Sequence, residues 1–181
     1  MNKNLYSGKL IAVDGPNGAG KTTIIQELKK ELEKRRIEAC FTKEPTDNEL
    51  GCFVREYAER FDGISVACLV AADRYQHLRD EIVPQLEKGK IVITDRYVLS
   101  SLILQRMDEV SEEFILALNN EIVQPDLQIA VFADRDVIQN RLKERSCLTR
   151  FEKGNKTNKE LEYMYQPLVE NLLQHRDKGT S

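Results

Sequence analysis

A glycine-rich segment between two apolar stretches restricts the fold of this chain more than any other feature. Residues 15–22 read Gly-Pro-Asn-Gly-Ala-Gly-Lys-Thr and match the pattern G-x-x-x-x-G-K-[ST]. The short apolar run Lys9–Asp14 before it predicts a buried parallel strand, and apolar residues at helical spacing after it predict a helix that ends near Arg36. A strand, this loop and a helix in that order form a phosphate-binding unit, so we expect the chain to bind a nucleoside triphosphate.

The residue types in this phosphate loop explain the chemistry. Its glycines let successive backbone amides turn toward phosphate oxygens, and the helix that follows adds the positive end of its dipole. Lys21 is expected to reach the β- and γ-phosphates of ATP, and the Thr22 hydroxyl to ligate Mg²⁺. The expected ATP-binding residues are Gly15, Pro16, Asn17, Gly18, Ala19, Gly20, Lys21, Thr22 and Thr23. The glycine spacing differs from G-x-G-x-x-G, which disfavours a nicotinamide-dependent enzyme.

Apolar runs alternate with amphipathic stretches along the rest of the chain. Strands are predicted at Lys9–Asp14, Glu38–Thr42, Lys90–Thr94 and Leu127–Phe132. Helices are predicted at Glu49–Arg60, Ile64–Glu87, Leu99–Arg106, Glu112–Val123 and Asp136–Arg145, and a closing helix is marked by Leu161, Tyr165, Leu168 and Leu172. Pro84 is expected to kink or restart the helix that contains it, because proline lacks a backbone amide.

This alternation predicts an α/β fold in which helices flank a parallel sheet of about four or five strands, giving three layers. The residues after the closing helix contain no apolar run, which favours four strands. We expect a single P-loop domain over residues 1–181, and a small lid in the polar, glycine-containing segment 146–156. A domain of this size buries about two thirds of its surface without disulfides or structural metals.

Composition excludes several classes of protein. With 41% hydrophobic residues, 31% charged residues and a net charge of -3, the chain has no basic surface for nucleic acid, which we do not expect as a partner. Its four cysteines are irregularly spaced and read as reduced thiols. Residues 1–8 are polar, and no apolar run approaches the ~18 residues that span a membrane. We therefore expect a cytoplasmic protein without a membrane partner.

A second motif follows the third predicted strand. Asp95 leaves that strand at the edge where the phosphate loop lies, which is a suitable place to hold Mg²⁺ or its waters. The adjacent Arg96 is suited to grip a second phosphate through paired hydrogen bonds. An Asp-Arg dipeptide alone is usually a surface pair, but its position at the end of a buried strand favours a functional interpretation.

With these residues in place, the sequence resembles the thymidylate kinase family of nucleoside monophosphate kinases over nearly its whole length. Four segments carry the resemblance in matching order: Lys43-Glu44-Pro45 with Gly51 and Arg55; Leu69–His77; Asp95-Arg96-Tyr97 with Ser100, Ser101 and Gln105; and Leu148–Glu152. The resemblance implies transfer of the ATP γ-phosphoryl group to dTMP, which yields ADP and dTDP for dTTP biosynthesis. It also implies a requirement for Mg²⁺ and a homodimer.

The resemblance further implies roles for individual residues. The catalytic residues would be Lys21, Asp95, Arg96, Arg145 and Arg150, and the metal ligands Thr22 and Asp95. The substrate-binding residues would be Asp14, Asn17, Lys43, Glu44, Val70, Arg74, Arg96, Tyr97, Ser101 and Gln105. Gly18 stands where some members carry a phosphate-loop arginine, so the lid is expected to supply that charge. We expect Arg141 to be a basic helix end that complements the dipole.

Three positions depart from the family where it recognises the nucleoside. Val70 replaces a phenylalanine that stacks on the base, Leu104 replaces an aromatic residue near the sugar, and Asn17 replaces an acidic residue. These changes keep open a kinase of another or modified deoxypyrimidine monophosphate. A non-catalytic nucleotide sensor is a further alternative, although such a protein has less need of Lys21, Asp95 and Arg96 together.

Overall fold

A parallel sheet of four strands lies at the centre of the residues that the computed structural model describes, which are 1–145, 148–153 and 159–161. The strands are β1 (Lys9–Asp14), β2 (Ala39–Lys43), β3 (Ile91–Asp95) and β4 (Leu127–Ala130), in the order β2-β3-β1-β4. Every neighbouring pair is parallel. The predicted α/β class and the four strands are confirmed.

The register of the sheet brings the carboxyl ends of three strands together. Asp95 of β3 lies opposite Val13 of β1 on one side and opposite Lys43 of β2 on the other. The phosphate loop, the segment after β2 and the segment after β3 therefore leave the sheet at one edge. Ligands bind at this edge of open α/β sheets.

Helices connect the strands and cover both faces of the sheet. They are α1 (Lys21–Lys34), α2 (Glu49–Tyr57), α3 (Gly63–His77), α4 (Val83–Glu87), α5 (Val98–Met107), α6 (Glu112–Leu118) and α7 (Arg135–Lys143). The predicted helix 112–123 is too long, because the side chain of Asn119 caps α6 by donating to the carbonyl of Ile115. The predicted strand 127–132 ends two residues early, at Ala130. The predicted closing helix lies outside the described residues except for Leu161.

Pro84 restarts a helix, as the sequence predicted. α3 passes into one turn of π-helix, Leu78–Ile82, and α4 begins directly after it. Pro84 occupies the first turn of α4, where its missing amide breaks no intrahelical hydrogen bond. A single long helical arm therefore runs from Gly63 to Glu87 with a local change in its pitch.

Alternation along β1 creates the three layers. Leu10 and Ala12 pack into an apolar cluster with Ile82 and Leu86 on one face of the sheet. Val13 packs on the other face in a second cluster that includes Ala19 of the phosphate loop and Ile138 and Leu142 of α7. Because α7 packs directly on the phosphate loop, the residues at its carboxyl end lie near any bound phosphates.

No helix within the described part of the chain has both the length and the apolar character needed to cross a membrane.

Candidate active site

The phosphate loop has the backbone geometry that its glycines predict. Gly20, the N-cap of α1, has φ of 105°, a conformation that side chains rarely adopt. A side chain at Gly15 would come within 2.4 Å of the carbonyl oxygen of Val131, so the loop packs tightly against the end of β4. The loop can therefore present its amides only with glycine at these two positions.

Lys21 folds back over the loop. Its side chain is 7% exposed, and Nζ donates to the carbonyl oxygens of Gly15 at 2.8 Å and Pro16 at 3.1 Å. Burial, followed by the positive charge of Arg96, lowers the pKa of Lys21 to about 8. A phosphate bound in the loop would favour the charged form of Lys21 further, because it adds negative charge beside the buried ammonium group.

Lys21 lies in a cleft of about 450 Å³, here called the loop cleft. Further residues that line it are Thr22, Thr23, Lys43, Asp95, Arg96 and Arg145. The cleft joins the expected ATP residues to the motif after β3. The register of the sheet explains why these two segments meet, because β1 and β3 end at the same edge.

The expected metal ligands fit Mg²⁺. Oδ1 of Asp95 is buried and lacks a hydrogen-bond partner among the described residues. A carboxylate oxygen in that state is suited to a cation or to a cation-bound water. Thr22 lines the same cleft and offers a hydroxyl. Both residues predicted from the sequence to bind the metal therefore lie in one cleft.

Arg96 lies where the loop cleft meets a second cavity of about 580 Å³, here called the adjoining pocket. Its Nη1 donates to Oγ of Ser100 at 3.0 Å and its Nη2 to Oδ1 of Asn17 at 2.8 Å. Its φ of 74° is uncommon for a residue with a long side chain. Such strain is found at functional sites, where the surrounding structure maintains it.

The adjoining pocket is apolar with a few polar groups. Its walls include Val66, Val70, Leu104 and Phe151, together with the polar side chains of Arg74, Ser101 and Gln105. Gln105 is buried, and its Oε1 has no hydrogen-bond partner within the described part of the chain. The pocket therefore has the character of a small-molecule site: apolar walls and a few placed polar groups.

Arg74 is fixed inside this pocket. It is 1% exposed, and its Nε donates to Oε2 of Glu44 at 2.8 Å while its Nη2 donates to Oγ of Ser101 at 3.0 Å. Its guanidinium also lies 5.3 Å from the centre of the Tyr97 ring. The structure thus brings together four residues that the sequence predicted for the substrate.

The carboxylate of Asp14 makes its hydrogen bonds within the protein. It was expected to bind substrate, but it is fully buried and both of its carboxylate oxygens accept hydrogen bonds from the protein. Oδ1 accepts from the backbone amides of Tyr97 and Ser100, and Oδ2 accepts from Nε2 of Gln128 at 2.8 Å. Asp14 therefore holds the start of α5 in place beside the cleft.

Arg150, predicted from the sequence to be catalytic, pairs with Asp108 in this structure. Instead of entering the loop cleft, its guanidinium forms paired hydrogen bonds with both carboxylate oxygens of Asp108. Its backbone amide donates to Glu59 at 3.0 Å, and its charge lies 4.0 Å from the ring centre of Phe151. Within the described residues Arg150 is not part of the cleft lining, and its contacts with Asp108 and Glu59 fasten the lid segment 148–153.

The cleft instead receives two other arginines from α7 and its end. Arg145 lines the cleft and donates to Oε1 of Glu152 at 2.9 Å. Arg141, expected only to complement a helix dipole, also lines the cleft and donates to the carbonyl of Gly18 at 2.8 Å. The packing of α7 on the phosphate loop explains this placement.

Sequence reasoning also left out Arg55 as a site residue. It lines both cavities, and its Nη1 donates to the carbonyls of Pro45 and Thr46 at 2.6 Å each. Gly51, one turn earlier, is the sequence feature that could have indicated this position for Arg55. A Cβ atom at Gly51 would lie 2.1 Å from the carbonyl oxygen of Thr46. This close approach lets α2 bring Arg55 to the junction of the cavities.

Glu160 is another residue that the sequence analysis missed. It is buried, and burial raises its pKa although the charges of Arg96 and Lys21 oppose the shift. The carboxyl group thus lies within the electrostatic reach of two cations of the cleft, Arg96 and Lys21. Glu160 directly precedes Leu161, where the sequence analysis predicted only an amphipathic helix and no site residue.

Known proteins resemble this chain over most of its length. A model of the thymidylate kinase family matches residues 13–175. The probable thymidylate kinase of Pyrococcus abyssi is 35% identical over 93% of this chain and 86% of its own length. The thymidylate kinase of Caldicellulosiruptor saccharolyticus is 36% identical over 75% of this chain and 70% of its own. The probable thymidylate kinase of Pyrobaculum calidifontis is 40% identical, with 78% and 73% covered.

None of these findings favours the alternatives that the departures at Val70, Leu104 and Asn17 kept open. The matched region includes the phosphate loop from Gly15 onward and the motif at Asp95 and Arg96. The geometry of the site and the matched length agree: the chain belongs to the thymidylate kinase family.

Proposed function

We propose that this protein transfers the γ-phosphoryl group of ATP to dTMP and releases ADP and dTDP. The observation that carries the proposal is the position of Arg96 at the junction of the loop cleft and the adjoining pocket. A phosphate held there adjoins the phosphate loop, while the nucleoside attached to it occupies the pocket. Membership of the thymidylate kinase family supports the same acceptor.

The donor occupies the loop cleft. Amides of the phosphate loop and Nζ of Lys21 bind the β- and γ-phosphates. These donors stabilise the negative charge that develops on ADP as it leaves. Thr22 and Asp95 would hold Mg²⁺, which would supply positive charge to offset that of the phosphates. The orphaned Oδ1 of Asp95 supports this assignment.

The acceptor phosphate attacks in line with the departing ADP. Its oxygen forms a bond to the γ-phosphorus as the bond to the β–γ bridging oxygen breaks, without a covalent protein intermediate. The second pKa of a phosphate monoester is about 6, so the attacking oxygen is already ionised at neutral pH and needs no general base. Arg96 and Arg55 hold the acceptor phosphate, and Lys43 stands nearby. Arg145 and Arg141 supply positive charge to the group in transfer.

The adjoining pocket suits a 4-keto pyrimidine. Arg74 offers only donors, so it favours the carbonyl oxygen at position 4 over an amino group. Oε1 of Gln105, which lacks a partner in the described region, can accept the hydrogen bond of N3–H. Ser101 lies beside Arg74, and Val70, Leu104 and Phe151 enclose the base and sugar.

Several broader features belong to the same proposal. The homodimer would form through exposed apolar side chains of α2, α3 and α6, including Phe53, Ile64 and Phe114. Cys40, Cys52 and Cys68 are free thiols, which supports a reducing compartment, namely the cytoplasm. The single domain over 1–181 with its lid at 146–156, and a place in dTTP synthesis, complete the proposal.

An ADP-release assay across the common nucleoside monophosphates, with ATP and Mg²⁺, tests this function. We expect the highest kcat/KM with dTMP and low rates with dCMP and with thymidine. Highest turnover with a free nucleoside, or none with any monophosphate, would contradict the proposal. Highest turnover with another deoxypyrimidine monophosphate would keep the reaction and change the acceptor.

A further inference from the structure

We propose that Asn119 is a positioning residue that orients Arg74 for recognition of the acceptor's base. The inference rests on the proposed function, because it concerns the acceptor of that reaction. Asn119 follows α6 and lies behind Arg74, and within the described residues it is not part of the lining of the adjoining pocket. Its Oδ1 accepts a hydrogen bond of 2.6 Å from Nη1 of Arg74.

Three separate elements hold the Arg74 guanidinium. Nε donates to Glu44 after β2, Nη2 donates to Ser101 on α5, and Nη1 donates to Asn119 after α6. A guanidinium has five N–H groups in one plane. Among the described residues these three contacts leave one N–H on each terminal nitrogen. Those two donors are the ones that a base in the pocket can meet.

Asn119 contributes a direction as well as an acceptor. Its Nδ2 donates to the backbone carbonyl of Ile115 at 2.8 Å, and a carbonyl can only accept. The amide nitrogen must therefore face Ile115, and Oδ1 must face Arg74. Asn119 is 2% exposed, so both groups are shielded from bulk solvent. The cap of α6 thereby fixes the plane of the Arg74 guanidinium.

Asn119 differs from the other two residues that hold Arg74 because, in the described part of the structure, it does not line the adjoining pocket. Glu44 and Ser101 line the adjoining pocket, so their replacement would alter contacts with the acceptor itself. Asn119 reaches the pocket only through Arg74. Its loss should therefore weaken recognition of the base while leaving the phosphate loop and the Arg96 grip unchanged.

The neutral side chain of Asn119 suits this role. Glu44 already supplies one carboxylate to Arg74, at 2.8 Å, so a neutral oxygen at position 119 completes the hydrogen bonds without a second buried negative charge. Asp at this position would keep the acceptor for Arg74 but lose the donor to Ile115. The two functions of the side chain can thus be separated by substitution.

The test compares Asn119→Leu and Asn119→Asp with a matched control, Ser111→Ala. Oγ of Ser111 caps the other end of α6 by accepting from the amide of Phe114, and it does not contact Arg74. Dissociation constants for dTMP are measured by titration calorimetry, and KM values for dTMP and ATP by ADP release. Thermal unfolding monitors folding in each variant.

We expect N119L to weaken dTMP binding about tenfold, the effect of one lost hydrogen bond to a charged group, with KM for ATP within twofold of wild type. N119D should weaken dTMP binding less than N119L does, because it keeps the acceptor for Arg74 although it loses the donor to Ile115, and S111A should bind dTMP normally. If N119L does not fold, Asn119→Ser, which is too short to reach Arg74, carries the same tenfold expectation.

Three outcomes would overturn the inference: equal losses for dTMP and ATP in N119L, a loss of dTMP binding in S111A as large as in N119L, or an N119D variant as weak as N119L. The calorimetric comparison does not depend on turnover. A wild-type protein that binds dTMP but releases no ADP would therefore contradict the proposed function, while the role of Asn119 would still be decided.

Discussion

The guanidinium of Arg96 donates a hydrogen bond of 2.8 Å to Oδ1 of Asn17, and this contact joins the motif after β3 to the phosphate loop after β1. Val13 and Asp95, at the ends of those strands, lie opposite each other in the sheet. The donor and acceptor sites are therefore aligned by the register of the sheet, and the contact between Arg96 and Asn17 joins them directly.

Asn17→Ala should raise KM for dTMP about fivefold and leave KM for ATP within twofold. The variant removes the acceptor of the Arg96 hydrogen bond but keeps the backbone amide at position 17. Steady-state kinetics with each substrate varied in turn measures the effect. An equal rise of both KM values would mean that the Asn17 side chain serves the whole loop rather than Arg96.

Arg145→Ala should lower kcat about 100-fold or more with a small change in KM for ATP, because the charge is needed most in the transition state. Lys143→Ala removes an exposed cation at the end of α7, two residues before Arg145, and as the matched control it should keep kcat within twofold. Rapid-quench measurement of the transfer step separates this effect from product release. An unchanged rate of transfer in R145A would remove Arg145 from the mechanism.

Arg150 and Asp108 should behave as one unit. Arg150→Ala and Asp108→Ala are each expected to lower kcat/KM for dTMP about tenfold, because the lid residue Phe151 then loses its anchor over the adjoining pocket. The double variant should be no worse than either single variant, since both remove the same contact.

The same pair also predicts a stability effect. Each single variant leaves a largely buried charge without its partner, and we expect a loss of about 3 kcal/mol in the free energy of unfolding. Arg60→Ala, which breaks an exposed pair with Glu56, should cost less than about 1 kcal/mol. Additive losses in the double variant would show that Arg150 and Asp108 act separately.

Lys21 predicts an unusual dependence of stability on pH. Burial lowers its pKa from 10.5 to about 8, so between those values the unfolded chain holds a proton that the folded chain has released. Raising the pH through this window therefore stabilises the nucleotide-free protein relative to Lys21→Met, by up to about 3 kcal/mol. Urea unfolding of both proteins tests this at roughly pH 7.5, 9 and 10.5, values that span the range between the two pKa values. A constant difference in stability between them would contradict the lowered pKa.

Periodicity and motif spacing were sufficient for the sheet, because parallel strands are short apolar runs and the loop after β1 has a strict pattern. The length of α6 was overestimated because the cap that ends it is a side-chain contact of Asn119 with Ile115. Sequence spacing does not distinguish such a cap from a helical residue.

The roles of charged residues were harder to predict for a related reason. Asp14 and Arg150 have the right chemistry for substrate contact, but their tertiary partners, the start of α5 and Asp108, occupy them. Arg141 reaches the cleft only because α7 packs on Ala19 through Ile138 and Leu142. A one-dimensional pattern contains no information on such contacts between distant segments.

The most direct test of the account is the ratio of dTMP affinity to thymidine affinity, measured by titration calorimetry in the wild type and in Arg96→Met. These ligands differ only in the phosphate that Arg96 is proposed to hold. We predict that the wild type prefers dTMP by about 100-fold or more, and that R96M loses most of this preference, while Arg55 keeps a small remainder. An R96M variant that keeps the wild-type ratio would contradict the central claim, because the acceptor phosphate would then lie elsewhere.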